Sequence, residues 1–121
     1  MSDVDRNIFN ADEFRTQIVN PEVQRQLIEM YPAETGTLLE RARLALEKGD
    51  AIELHQAAHL LKGVVGNYLG TRAFRATTEL DRLARIPDLE EARNAFLKCE
   101  AEVKRLERAL LGFLDNLQKT G

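Results

Sequence analysis

LEEARNAFLKCEAEVKRLERALLGFLDNL, residues 89–117, sets apolar side chains at Leu89, Ala92, Phe96, Cys99, Val103, Leu106, Leu110, Phe113 and Leu117. The steps alternate three and four, which draws one apolar seam along one face of a long helix. Such a seam has to be covered. No β-type alternation occurs elsewhere to supply a sheet, so the covering elements must be helices too.

Moving outward, Ile86-Pro87-Asp88 interrupts the pattern. Before it, Ala73, Ala76, Leu80 and Leu83 stripe another helix, which follows a break near Leu69-Gly70-Thr71. A further helix starts at Ala51. Gly49 suits the residue after a helix and Asp50 suits a helix cap. Upstream, Val23, Leu27, Met30, Tyr31, Leu38, Ala42 and Ala45 keep helical spacing, with Asn20 as cap and Pro21 at the first position. Pro32 falls inside this run and is expected to bend one long helix. A short helix over Ala11 to Val19, capped by Asn10, puts Phe14 and Ile18 on one face. The expected fold is all-α: an antiparallel up-and-down four-helix bundle with a short extra N-terminal helix. Residues 1–9 are expected to be a flexible tail, and 10–121 a single domain.

Composition agrees with one globular domain. The chain has 121 residues, 44% hydrophobic and 31% charged, enough for a single core. A net charge of -3 argues against a nucleic-acid partner. No apolar run is long enough for membrane insertion, and MSDVDRNIF has neither the basic start nor the apolar segment of a secretory leader. The cytoplasm is the expected compartment. One cysteine excludes an internal disulfide. Cys99 lies on the seam and reads as a buried apolar residue.

On a helical wheel of residues 51–68, Leu54, Ala57, Ala58, Leu61, Val64, Val65 and Tyr68 form the core stripe. His55, His59, Lys62, Gly63 and Gly66 fall on the other side. His59 is therefore expected in solvent. Lys62, three residues on, can hold an anionic group bound at the imidazole. Glycine inside a helix costs about 1 kcal/mol relative to alanine. Gly63 and Gly66, off the apolar stripe, are explained if a partner surface comes close to His59. A neutral imidazole is nucleophilic and can form a covalent intermediate. The chain has no phosphate-cradling motif such as GxxxxGK[ST], so a partner must supply the phosphoryl donor.

These residues resemble the histidine phosphotransfer (HPt) domains of phosphorelays. The likeness rests on A-H-L-L-K-G, Ala58 to Gly63, then Gly66-Asn67 and Tyr68, with a lead-in of Gly49-Asp50, Leu54 and Ala58-His59. Two positions depart from the family pattern. Val64 and Val65 stand where many members have serine or alanine. Leu69 stands where many have glycine, and Gly70 follows. The resemblance implies a four-helix bundle. It also implies that His59 accepts a phosphoryl group from a receiver-domain phosphoaspartate and passes it to another receiver. Lys62 steadies the phosphoryl oxygens, and Gly63 and Gly66 leave room for the receiver. No cofactor is expected on this chain; Mg²⁺ is expected on the receiver. The implied partners are response-regulator receiver domains and a hybrid histidine kinase. Such a chain is a phosphoryl carrier without turnover chemistry of its own, and an exposed working histidine suits a monomer.

His55 and Ile52 also fall near the His59 face, and both are expected at the receiver contact. His55 and His59 have the HxxxH spacing that can ligate a metal. With no third ligand evident in the sequence, no metal site is assigned. The alternatives to a carrier are an adaptor that binds a receiver or kinase without phosphotransfer, and a metal-dependent protein using the two histidines.

Overall fold

The computed structural model describes residues 5–86 and 88–120, Gln118 and Thr120 by backbone alone. These residues form five α-helices and no strand: α1 (Ala11–Gln17), α2 (Pro21–Lys48), α3 (Ala51–Gly66), α4 (Thr71–Ala84) and α5 (Leu89–Thr120). The two longest, α2 and α5, pack on each other. Helix α3 packs on α2 and α4, and α4 also packs on α5. No described helix is long and apolar enough to cross a membrane.

Helix boundaries follow local chemistry. The Asn10 side chain accepts from the Glu13 N–H, and that of Asn20 from Glu22 N–H, with Pro21 at the first turn. Gly49 ends α2 in the left-handed region at φ 68°, which glycine adopts without a Cβ penalty. Asp50 then caps α3 through the Glu53 N–H. Helix α1 stops at Gln17, two residues short of the expected Val19.

The α5 seam is buried from Ala92 to Phe113, with Leu89 and Leu117 partly covered at its ends. Cys99 is fully buried on it, and burial pushes its thiol up to about 12. Native protein at neutral pH is therefore expected to resist maleimide and to react fully only when unfolded in urea, read by mass shift.

On α2 the buried face differs from expectation. Gln24, Ile28, Tyr31, Thr35, Leu39, Ala42, Ala45 and Leu46 are buried, whereas Val23 and Met30 are exposed and Leu27 and Leu38 only partly covered. The two polar members are the reason. Gln24 Nε2 donates to the Ile18 carbonyl, and Thr35 Oγ1 donates to the Tyr31 carbonyl at 2.9 Å. A satisfied polar group can occupy a core face at little cost. Tyr31 itself is buried, and its hydroxyl donates to the Val103 carbonyl of α5 at 2.8 Å. Helix α2 runs unbroken through Pro32.

The N-terminal stretch also needs correcting. Residues 1–4 of the expected tail, and Pro87 of the expected break, lie outside the described residues. Residues 5–9 are bound to the helices. Phe9 is buried and meets Phe14 and Phe113 edge-on at 5.4 and 5.7 Å between centroids. The Asn7 carbonyl accepts from the Arg72 N–H at 2.7 Å, and the Leu69 carbonyl accepts from the Asn10 N–H. This strand of chain crosses the α3–α4 turn and sets its shape. A Cβ on Gly70 would lie 2.6 Å from Leu106 Cδ2 and 2.9 Å from the Ile8 carbonyl oxygen, so only glycine fits there. The preceding Leu69 takes φ 58°, an unfavourable value for a leucine. The turn needs its glycine for space at position 70 rather than for backbone freedom at 69.

Candidate functional site

Helix α3 turns its core stripe inward as the wheel expects. Leu54, Ala57, Ala58, Leu61, Val65 and Tyr68 are buried, and Val64 is partly covered. The same rotation aims Ile52, His59 and Gly63 outward. The His59 side chain is 62% exposed and Ile52 is 75% exposed. Leu60, beside His59 on the α2 flank, is exposed as well. On that flank Arg41 of α2 grips Glu53 with two hydrogen bonds, at 2.8 and 3.1 Å. The Arg41 guanidinium holds the Glu53 carboxyl below its usual range. This tie between α2 and α3 is therefore complete above the usual carboxylate range and is lost as pH falls through the depressed value.

The two glycines have different surroundings. Among the described residues, nothing lies within 4 Å of a Cβ built on Gly63, so the surface there is open. A Cβ on Gly66 would stand 3.3 Å from Phe74 Cε1 of α4. The wheel leaves Gly66 to an approaching partner; it also makes room for the partly exposed Phe74 ring of the neighbouring helix. Gly63→Ala is accordingly expected to raise stability, by up to about 1 kcal/mol from helix propensity alone. Urea unfolding checks this. Any loss of function in that variant then reports on what approaches the surface.

Lys62 is partly covered. Its Nζ sits 5.7 Å from the Phe74 ring centroid and has no carboxylate partner among the described residues. Its charge lies over an aromatic face of α4 rather than against a described carboxylate.

Sequence reading missed two residues of the site, Asp81 and Arg85, of which Asp81 is the centre. Asp81 lies on the buried face of α4 with Thr77, Leu80 and Ala84, and its side chain is only 5% exposed. Its Oδ2 is 3.7 Å from His59 Nδ1 and 3.5 Å from Arg85 Nη2. Its Oδ1 is 3.1 Å from His55 Nε2. Arg85 Nε donates to that same His55 nitrogen at 2.9 Å. The only trace in the sequence is a carboxylate at core spacing, four residues before an arginine. That it meets both histidines depends on how α4 packs against α3.

The result is an asymmetric pair of imidazoles. Their rings lie 6.0 Å apart between centroids, inclined by 26°. His55 is half-buried with its Nε2 engaged. His59 is exposed, with Nδ1 turned toward a carboxylate and Nε2 free of any partner among the described residues. Among the described residues, no group of three or more His, Cys, Asp or Glu side chains is placed to hold a metal ion. Compared with known protein families, with curated proteins and with solved structures, the chain finds no match in any of the three.

Proposed function

We propose that the protein is a histidine phosphotransfer carrier: His59 takes a phosphoryl group from a receiver-domain phosphoaspartate and gives it to another receiver aspartate. The observation that carries this reading is the asymmetry at His59. Its Nδ1 faces the buried Asp81 carboxylate, and its Nε2 has no partner among the described residues, on an exposed face of the helix that also carries Lys62 and the open Gly63. The helical order and the ring of contacts from α2 through α3 and α4 to α5 support the antiparallel up-and-down four-helix arrangement that goes with it.

In this mechanism Asp81 favours the imidazole tautomer with its proton on Nδ1, leaving the lone pair on Nε2. That nitrogen attacks phosphorus. The N–P bond forms as the acyl-phosphate O–P bond breaks, and the receiver's carboxylate leaves with the bonding pair. The Nδ1 proton stays against Asp81, balancing the positive charge that the ring gains. Lys62 lies on the same face, one turn along, to meet the phosphoryl oxygens. Reversal on a second receiver restores the imidazole. The family resemblance places Mg²⁺ on the receiver, and no residue of this chain is assigned to it. Ile52, Leu60 and Gly63 furnish a partly apolar, open surface for the receiver, with His55 and Gly66 at its edge. The cytoplasm is the compartment where receivers and a hybrid kinase would meet the carrier.

The test is transfer itself. The purified chain is mixed with phosphorylated receiver domains and Mg²⁺, and the product is mapped by mass spectrometry under mildly alkaline conditions. An acid-labile phosphoryl group on His59 is expected. A folded protein that takes nothing from a broad receiver panel overturns the carrier reading in favour of an adaptor.

A further inference from the structure

Between α3 and α4, Asp81 Oδ1 is buried without a hydrogen-bond donor among the described residues. The nearest nitrogen, His55 Nε2 at 3.1 Å, is occupied: it accepts from Arg85 Nε at 2.9 Å. A neutral imidazole nitrogen either carries a proton and donates, or carries a lone pair and accepts. His55 Nε2 therefore serves Arg85 or Asp81, one at a time. When the His55 proton is on Nδ1, Arg85 is satisfied and Oδ1 is stranded. When it is on Nε2, the proton points at Oδ1 and Arg85 Nε is released. Arg85 is exposed, so water can take over its N–H, while its Nη2 remains near Asp81 Oδ2. Stranding a buried carboxylate oxygen is the costlier of the two arrangements.

We propose that His55 is a positioning residue for His59, acting through Asp81, and that Arg85 competes for it. The Nε2–H form of His55 anchors Oδ1 and so holds Oδ2 against His59 Nδ1. With Oδ1 unanchored, the His59–Asp81 separation is 3.7 Å, too long for a hydrogen bond. Anchoring stops the carboxylate from turning about its Cβ–Cγ bond. It shortens that contact, keeps the His59 proton on Nδ1, and keeps Nε2 available. The consequence for phosphorylation rests on the acceptor reading of His59; the coupling between the two rings does not.

Substitutions at His55 separate these roles. In His55→Gln the amide N–H₂ can donate to Oδ1 while its carbonyl accepts from Arg85, serving both partners at once. His55→Leu serves neither. Two readouts are taken: the ¹⁵N shifts of His59, which report its tautomer, and the rate of labelling by phosphoramidate. In that reaction His59 Nε2 attacks phosphorus, the P–N bond of the donor breaks, and ammonia leaves.

His55→Leu is expected to slow labelling about tenfold, the loss of one hydrogen bond to a charged group. It should also lower the Nδ1–H fraction of His59. His55→Gln should restore both, and Arg85→Gln, which removes the competitor, should raise the Nδ1–H fraction above wild type. Identical tautomer fractions in wild type, His55→Leu and Arg85→Gln would overturn the proposal. If wild-type protein takes no phosphoryl group from any donor, the acceptor reading fails, and the tautomer comparison alone decides the role of His55. Should His55→Leu not fold, the Arg85→Gln and His55→Gln spectra decide it.

Discussion

Protein carrying His59→Gln is expected to take up no phosphoryl group from any receiver or small-molecule donor, with its melting temperature unchanged. An amide nitrogen has no lone pair free for attack, so the loss is complete rather than partial. The fold should not notice, because the side chain is mostly exposed and substitutions at such positions stay within about 0.5 kcal/mol. His55 is not a substitute acceptor. It stands one turn away on the same helix, but its Nε2 lies between Arg85 Nε and Asp81 Oδ1, and its ring is half-buried. Alkaline mass spectrometry of the variant after exposure to phosphorylated receiver checks both statements. Persistent label on His55 would mean that the buried carboxylate serves the other ring.

Leu61→Ala is expected to cost about 2–5 kcal/mol, because Leu61 is fully buried and its loss leaves a cavity that the surrounding side chains fill only in part. Its neighbour in sequence should behave oppositely. The Lys62 ammonium lies over the Phe74 ring, so Lys62→Ala should cost about 0.5–1 kcal/mol of cation–π contact while slowing phosphotransfer. Urea unfolding with a shared m-value measures the first difference, and single-turnover transfer from a phosphorylated receiver measures the second. Equal destabilisation by the two substitutions would show that α3 is rotated relative to the orientation described.

Most helices were legible because their signals are local. Asn10, Asn20 and Asp50 cap through their own side chains, Gly49 supplies the left-handed stop, and the three-four spacing on α5 is a property of one helix alone. The α2 face is less legible because hydrophobicity alone does not mark burial there. Gln24 and Thr35 are buried through hydrogen bonds to carbonyls, and a count of apolar residues cannot see those bonds. The burial of Phe9 is illegible for a related reason. Phe9 is one aromatic in a polar stretch, and its place beside Phe14 and Phe113 exists only once α5 is folded behind it.

At the candidate site, periodicity was enough to put Leu61 inside and His59 outside, since residues two apart on one helix cannot share a face. The spacing of His55, His59 and Lys62 along α3 follows from the same rule. What periodicity could not supply was Asp81. Its partners sit 22 and 26 residues upstream, and whether a carboxylate on α4 faces solvent or two imidazoles depends on how two helices pack. Sequence by itself determined the helices, where they begin and the outward face of His59, all consequences of backbone geometry within one segment. Tertiary structure decided that His55 Nε2 is engaged and that His59 Nδ1 faces Asp81, that the Phe74 ring lies against Gly66, and that Gly70 rather than residue 69 must be glycine. Each of those is a contact between segments distant in the chain, and no local pattern encodes it.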